Sequence, residues 1–158
     1  MGSEEEGREV DDLLAQLSDL RDWCFDDDRD SRALRLRQTV SARLCEQDFF
    51  RRGMLLNLTD QYDEQAERLL TKEVKLHPDN TEGWNQLGLC LWKKGSKELA
   101  HKCYLWSLSA GKSIHALQDL SMLQRQLLDS ASPQEQILKS VDYALQAIEL
   151  DDHNHKSW

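Results

Sequence analysis

Residues that recur 34 positions apart constrain this chain more than any other feature of its sequence. Ala66 and Ala100 are separated by this spacing, and so are Leu70 and Tyr104. A fixed period of about 20 to 50 residues indicates a repeat architecture, in which each unit packs against its neighbours. The chain is therefore predicted to be a stack of similar units.

The amino-acid composition indicates that these units consist of helices. The 158 residues include only two prolines and seven glycines, which leaves little turn punctuation for an all-β fold. Hydrophobic residues make up 39% of the chain and charged residues 31%. This mixture suits a thin, elongated core made of helix faces, and the predicted fold class is all-α.

The clearest unit lies between residues 80 and 112. Gly88 and Ala100 are small where two helices are predicted to cross closely, and Trp84, Leu87 and Tyr104 are predicted to fill the seam between them. These residue types at these positions resemble the tetratricopeptide repeat, a helix pair of 34 residues. The resemblance implies a tetratricopeptide-repeat helical solenoid with an N-terminal helical extension.

The same pattern divides the rest of the chain. Ala66, Leu70 and Pro78 fit the second helix and the closing proline of an earlier repeat, and Trp158 is interpreted as the opening residue of a truncated next repeat. The predicted segments are an acidic N-terminal helical cap at 1–45, repeat one at 46–79, repeat two at 80–112, an irregular long repeat three at 113–152, and the start of the next repeat at 153–158.

Three local features carry more specific predictions. Glu73 stands where the repeat prefers alanine, so its helix contact is expected to be loose or exposed. Ser132 and Pro133 indicate a helix start, as N-cap and first helical residue. His153 and His155 are interpreted as part of a solvated turn between repeats, and not as metal ligands.

The N-terminal segment carries the whole net charge. Residues 1–30 contain twelve acidic and three basic residues, and the net charge of the chain is −9. Bulk attraction to DNA or to an anionic membrane needs a positive surface, so neither is expected. Arginines between residues 32 and 52 are expected to pair with the acidic segment. That segment is predicted to cover the first repeat, and a coiled-coil arm for dimerisation is the alternative.

No catalytic or metal-binding pattern appears in the sequence. The four cysteines form no CxxC pair, and no phosphate-binding, hydrolase or zinc-protease motif is present. His101 and Cys103 lie two residues apart on a predicted helix and so point to different faces. No run of apolar residues approaches the ~20 needed to span a bilayer. We therefore expect an intracellular protein without enzymatic activity, cofactor or metal.

A peptide-binding groove is the remaining candidate site. In stacked helix pairs the first helix of each repeat lines the concave surface, which would receive Glu82 and Asn85 from repeat two and Asp119 and Arg125 from repeat three. Arg125 has apolar neighbours on its helix, so its guanidinium could pair bidentately with a carboxylate of a peptide. The alternative is a structural ion pair with Asp119 or Glu82.

Two strings narrow the resemblance further. Residues 82–88 followed by Trp92-Lys-Lys-Gly, and the string Leu-Ser-Met-x-x-Arg-Gln-Leu ending at Leu127, resemble the tetratricopeptide repeat protein 5 family over roughly residues 50–158. The resemblance implies further repeats and an OB-fold domain beyond Trp158. It also implies that Arg125 contacts a bound peptide.

That family resemblance implies two roles. One is recognition of the N-terminal peptide of nascent tubulin, together with ribosome-associated factors, which triggers decay of tubulin mRNA. The other is a stress-responsive transcription cofactor that assembles a histone acetyltransferase coactivator complex. The expected partners are accordingly proteins or peptides, and the expected locations are the cytoplasm and the nucleus.

Overall fold

The computed structural model of the chain describes residues 4, 8–16, 29–44, 46–58, 61–127 and 132–155. Helices account for nearly all of these residues, and no strand occurs among them. The all-α prediction is therefore confirmed. In chain order the helices are α1 (8–16), α2 (Arg29–Arg43), α3 (Phe49–Leu56), α4 (Glu64–Leu76), α5 (Thr81–Lys94), α6 (Lys97–Ala110), α7 (Ile114–Gln126) and α8 (Pro133–His155).

Local capping determines where most of these helices begin. Asp48, Asp63, Asn80 and Ser113 precede α3, α4, α5 and α7, and the side chain of each accepts a hydrogen bond from the backbone N–H three residues later. Such a bond satisfies one of the helix's unpaired first-turn donors. Gly95 ends α5 with φ of 91°, a left-handed conformation that glycine adopts without steric cost.

Consecutive helices pack as hairpins, and the hairpins stack. The helix α3 packs along α4, α5 along α6, and α7 along α8, while α4 also contacts α5 and α6 contacts α7. Short connections between helices favour such antiparallel neighbours. Each hairpin therefore contacts only the next one along the chain, which is the arrangement of a solenoid.

The core between these hairpins contains the residues at which the sequence repeats. Ala66, Leu70, Ala100 and Tyr104 are fully buried in one cluster, and Leu87 is nearly so. A Cβ atom on Gly88 would lie 2.9 Å from Cε1 of Tyr104. Glycine at that position thus permits the close approach of α5 and α6. The half-buried Trp84 packs against the cluster, and its indole donates a hydrogen bond to the Pro78 carbonyl over 2.9 Å.

Replacing Ala100 by leucine should overpack this crossing. Ala100 has no exposed surface, so the added atoms must displace its neighbours, and we expect the free energy of unfolding to fall by about 1–3 kcal/mol. Urea unfolding followed by circular dichroism measures the change. Ala110→Leu, at the exposed end of the same helix, is the matched control. An unfolding midpoint unchanged by Ala100→Leu would contradict the close packing of α5 and α6.

The N-terminal helices pack against α3 of the first hairpin. Val10 and Leu14 of α1, Val40 of α2 and Leu55 of α3 form a second buried apolar cluster. Arg51 of α3 also binds Asp11 bidentately, with Nε to Oδ1 at 2.7 Å and Nη2 to Oδ2 at 2.9 Å. Arg43 of α2 likewise forms an ion pair with Glu9 of α1. Apolar burial and ion pairing thus hold α1 and α2 together against α3.

Two of the local predictions differ from the structure. Glu73 is only 7% exposed, because its carboxylate accepts a hydrogen bond from Nδ2 of Asn80 at 3.0 Å and lies 3.2 Å from Nδ1 of His77. A carboxylate tolerates such burial when its oxygens have partners. His153 and His155 lie within α8, which continues past the predicted boundary at Asp152 instead of turning there.

Other predictions concern the ends of helices. The helix α8 begins at Pro133 as the sequence indicated, and the Ser132 hydroxyl lies 3.3 Å from a carboxylate oxygen of Glu135. Trp158 lies outside the described residues, so its role in a next repeat stays a prediction. Within the part of the chain that the structure describes, no helix combines the length and the apolar character required to cross a bilayer.

Candidate functional sites on the solenoid

The first candidate site is a groove of about 500 Å³ between α7 and α8. Arg125 lies on it, and the side chain of Arg125 is exposed. Its Nε is 3.4 Å from the carbonyl oxygen of Ser121, which is a long and therefore weak hydrogen bond. Most of the other lining residues are apolar: Ile114, Met122, Ala144, Ala147 and Ile148.

The residue of α5 that corresponds to Arg125 of α7 makes a contact between hairpins. Counted from the N-cap residues Asn80 and Ser113, Arg125 occupies in α7 the position that Trp92 occupies in α5. The Trp92 indole donates a hydrogen bond to Oε1 of Gln126 over 3.0 Å, which joins one hairpin to the next. Arg125 therefore lies on the side of α7 that corresponds to the side of α5 facing the next hairpin.

The second candidate site is a smaller pocket of about 180 Å³ on the inner side of the stacked hairpins, which we call the inner pocket. Its apolar wall comes from three helices and consists of Leu14, Met54, Leu58 and Leu89. Its polar wall contains two carboxylates, three amides and an imidazole: Glu82, Asp119, Asn57, Asn85, Gln86 and His115.

Asn85 is the most constrained polar residue of the inner pocket. It is 5% exposed, and its Nδ2 donates to Oγ of Ser113 at 2.7 Å and more weakly to Oε2 of Glu82 at 3.4 Å. Because Nδ2 faces the Glu82 carboxylate, the amide orientation is settled by the hydrogen bonds themselves. Its Oδ1 has no hydrogen-bond partner among the described residues.

The carboxylates of the inner pocket also affect the buried hydroxyl of Tyr104. Burial raises the pKa of the Tyr104 hydroxyl, and the negative charges of Asp119 and, to a smaller extent, Glu82 raise it further. Both carboxylates are thus near enough to one buried hydroxyl to act on it. The inner pocket is accordingly bordered by two acidic residues and an imidazole on one side and by an apolar wall on the other.

The structure separates the four residues that were predicted to share one peptide groove. Glu82, Asn85 and Asp119 line the inner pocket, whereas Arg125 lines the groove between α7 and α8. Arg125 and Asp119 are both on α7 but six positions apart, which places them on different sides of a helix with 3.6 residues per turn. The four residues thus line two pockets, and their sharing of one peptide-binding surface stays a prediction.

A buried polar network next to the inner pocket was missed in the sequence. Asn57 is only 1% exposed, and its Nδ2 donates to the backbone carbonyl and to Oε1 of Gln86, each over 3.0 Å. Nζ of Lys93 donates to Oδ1 of Asn57 over 3.1 Å and also to its backbone carbonyl. In the sequence Lys93 only suggested a basic helix end, because its partner lies 36 positions away.

The two cysteines that the structure describes, Cys90 and Cys103, are both buried. Burial raises the pKa of Cys103 to about 12, and burial is also the main reason for the raised pKa of Cys90. Thiolate is the reactive form of cysteine, so both thiols are inert near neutral pH. Over the residues that the structure describes, no group of three or more His, Cys, Asp or Glu side chains is placed to hold a metal ion.

Comparison with known proteins gives one consistent result. No protein-family model matches the chain. Curated sequences do: the chain is 41% identical to tetratricopeptide repeat protein 5 of Homo sapiens over 108 residues, which is 67% of this chain and 24% of that protein. The protein of the same name from Mus musculus is 39% identical over 120 residues, covering 75% of this chain and 27% of the relative.

A third match agrees with these two. Tetratricopeptide repeat protein 5 of Bos taurus is 41% identical over 108 residues. The chain spans about a quarter of the length of the curated relatives it matches. Together with the stacked helix hairpins, these matches show that the chain belongs to the tetratricopeptide-repeat proteins, with a sequence consistent with a part of tetratricopeptide repeat protein 5.

Proposed function

We propose that this chain is a non-enzymatic scaffold that binds peptides or proteins, and that it reads the N-terminal peptide of nascent tubulin at the ribosome. The tubulin role comes from the family resemblance and would place the protein in the cytoplasm. The observation that carries the binding function is the groove between α7 and α8, where an exposed arginine adjoins an apolar surface.

The chemistry of this groove suits a short peptide with both acidic and apolar side chains. A guanidinium presents its donors in a planar fork that matches a carboxylate, and such charge-assisted pairs are stronger than neutral hydrogen bonds. Next to Arg125, Met122 and Ile148 supply exposed apolar surface. The volume of about 500 Å³ falls within the usual range of ligand pockets.

The repetition of the fold supports the same surface. Trp92, the counterpart of Arg125 in α5, contacts the following hairpin through Gln126. In α5 this place is thus covered by another helix, and the corresponding place beside Arg125 borders the groove between α7 and α8. Arg125 offers a cationic partner to a carboxylate of the occupant, and Asp151 adds a negative charge to the lining of the same groove.

A second candidate function uses the exposed apolar residues of α6. Trp106 is 49% exposed, and its ring centroid lies 5.0 Å from that of Trp84. Leu99 and Leu105 on the same helix are also exposed. Exposed aromatic and apolar side chains in proximity are typical of protein-contact surfaces. This patch favours a scaffold for larger partners, and by resemblance these would be transcription coactivators in the nucleus.

A fluorescence-anisotropy titration tests the first proposal. The probe is the peptide Met-Arg-Glu-Ile labelled at its carboxyl end, with the scrambled Ile-Glu-Arg-Met as control. We expect saturable binding that is weakened by Arg125→Glu at least about tenfold, because charge-assisted hydrogen bonds contribute about 1.5–3 kcal/mol and each tenfold in Kd corresponds to about 1.4 kcal/mol.

Matched variants separate this effect from general loss of charge. Arg35→Glu reverses an exposed arginine of α2, away from the groove, and should bind the peptide as the parent chain does. Circular dichroism of each variant establishes that the helices are intact. Equal affinity of the parent and the Arg125→Glu variant, or no binding by a chain that is folded, would contradict the reading of tubulin peptides.

A further inference from the structure

We infer that the inner pocket binds the basic side chain, arginine or lysine, of a partner peptide. Its hydrogen-bonding groups, the way Asn85 is held and its shape all point to a cation with an aliphatic stem. This inference deepens the proposed peptide-binding function and rests on it, because the basic side chain is taken to belong to a peptide. It concerns a surface separate from the groove of Arg125.

The carboxylate of Glu82 in the inner pocket is hydrogen-bonded only by neutral amides in the described part of the chain. Glu82 is hydrogen-bonded by Nε2 of Gln86 at 3.2 Å and Nδ2 of Asn85 at 3.4 Å, both long contacts from neutral amides of its own helix. In the described part of the chain no basic side chain lies within ion-pair distance of Glu82. A neutral amide is a weaker partner for a carboxylate than a cation is.

Asn85 gives an independent indication of the missing partner. It is 95% buried in the wall of the pocket, given its exposed fraction of 5%, and its Oδ1 lacks a hydrogen-bond donor. A buried acceptor without a partner costs about 1–3 kcal/mol. The cost disappears when a ligand brings N–H groups, and the ligand must be a donor because Nδ2 is already directed to Ser113 and Glu82.

The electrostatic environment agrees with this chemistry. Asp119 lies on the same pocket, and its charge and that of Glu82 both raise the pKa of the buried Tyr104 hydroxyl. Glu82 and Asp119 are both acidic residues of the pocket lining, so their charges would attract a guanidinium or ammonium group there and would repel an anion.

The shape of the inner pocket selects a side chain over a larger ligand. Its volume of about 180 Å³ is below the ~300–1,000 Å³ of pockets that hold drug-sized molecules. The apolar residues Leu14, Met54 and Leu89 form one wall. Lysine and arginine place their aliphatic stems along apolar surface while the charged head reaches polar groups. The two walls of the pocket match these two parts.

Titration with minimal peptides, followed by ¹H–¹⁵N correlation NMR of the whole chain, tests the inference. The probe is acetyl-Ala-Arg-Ala-amide, and the control is acetyl-Ala-citrulline-Ala-amide, which has nearly the same shape without the charge. We expect the arginine peptide to shift the side-chain amide resonances of Asn85 and Gln86, and the citrulline peptide to leave them unshifted. The apparent Kd should rise with salt concentration, because the contact is ionic.

Two matched variants assign the effect to the pocket. Glu82→Gln should weaken binding of the arginine peptide about tenfold, since it removes one charge-assisted hydrogen bond. Glu98→Gln is the control, because Glu98 also lies in the first turn of its helix but is exposed on α6, outside the pocket. Both substitutions remove a charge from the second helical position and so change the interaction with the helix dipole similarly. Circular dichroism of both variants establishes that the loss of Glu82's contacts with Asn85 and Gln86 leaves the helices intact.

The outcomes also separate this inference from the function on which it rests. Shifts confined to the inner pocket and reduced in Glu82→Gln support it. It is overturned if the arginine peptide shifts no resonance up to its solubility, if citrulline acts as arginine does, or if both variants bind equally. If Met-Arg-Glu-Ile shifted resonances of the inner pocket but none of the groove that contains Arg125, the tubulin role would be rejected and this inference would stand.

Discussion

Tyr104→Ala is expected to lower the free energy of unfolding by about 3–5 kcal/mol, the usual cost of removing a large buried aromatic side chain. Tyr104 has no exposed surface and covers Gly88, which has no side chain to fill the space left behind. The substitution therefore removes apolar burial and creates a cavity between α5 and α6. Domains of this size are stable by only about 5–15 kcal/mol, so the loss would be a large share.

Chemical denaturation monitored by circular dichroism measures this change. Leu105→Ala, at the next residue of α6, is the control. Because Leu105 is 40% exposed, this variant should lose much less free energy of unfolding. Tyr104→Phe keeps the ring over Gly88 and should lose less than about 1.5 kcal/mol, because only the hydroxyl is removed. A loss for Tyr104→Ala no greater than that for Leu105→Ala would show that the ring is not in the core.

Leu120→Ala should have the second-largest effect, with a loss of about 2–5 kcal/mol in the free energy of unfolding. Leu120 is fully buried in the same cluster as Ala100 and Tyr104, although it lies in the following hairpin. Its removal therefore weakens the contact between hairpins. We expect the midpoint of urea unfolding to fall, and the transition to broaden if the last hairpin separates from the stack.

The matched control for Leu120→Ala is Leu138→Ala on α8. The same atoms are removed, but Leu138 is 70% exposed, so the change should be within about 0.5 kcal/mol. Hydrogen exchange adds a second measurement. If Leu120→Ala accelerated exchange in α5 and α6 as much as in α7 and α8, the hairpins would unfold as one unit.

Much of the helical framework could be predicted because its determinants are local. The 34-residue recurrence, the small residues Gly88 and Ala100, and the glycine after α5 are read directly from the chain and correspond to the α5–α6 hairpin. The start of α8 at Pro133 is likewise a local signal. Helix caps and turn residues act over three or four positions, so the sequence alone is sufficient for them.

The burial of polar residues was harder to predict, because their partners are distant in sequence or belong to another helix. Glu73 was expected to be exposed, yet it is buried against Asn80 and His77 across the turn that follows α4. Asn57 was not singled out, although it joins Gln86 and Lys93. Composition gives a polar residue a preference for water, and only a specific hydrogen-bond partner reverses it.

The candidate site residues could likewise be identified from the sequence, but their arrangement could not. The sequence identified Glu82, Asn85, Asp119 and Arg125 as candidates for binding, from their residue types and their places on the first helices of the repeats. The structure then placed Arg125 on one surface and the other three on another. Helical periodicity assigns residues of α7 to different sides of the helix, but it does not show which of these sides packs against a neighbouring helix.

By itself the sequence determined that the chain is all-α, that residues of its helix pairs recur at a period of 34, and that α8 begins at Pro133. Only the tertiary structure decided that Leu14 of the N-terminal helix forms a wall of the inner pocket, and that Asn85 is buried there with a free acceptor. The physical reason is that an apolar stripe specifies burial but not the partner that provides it, because the hydrophobic effect is non-directional.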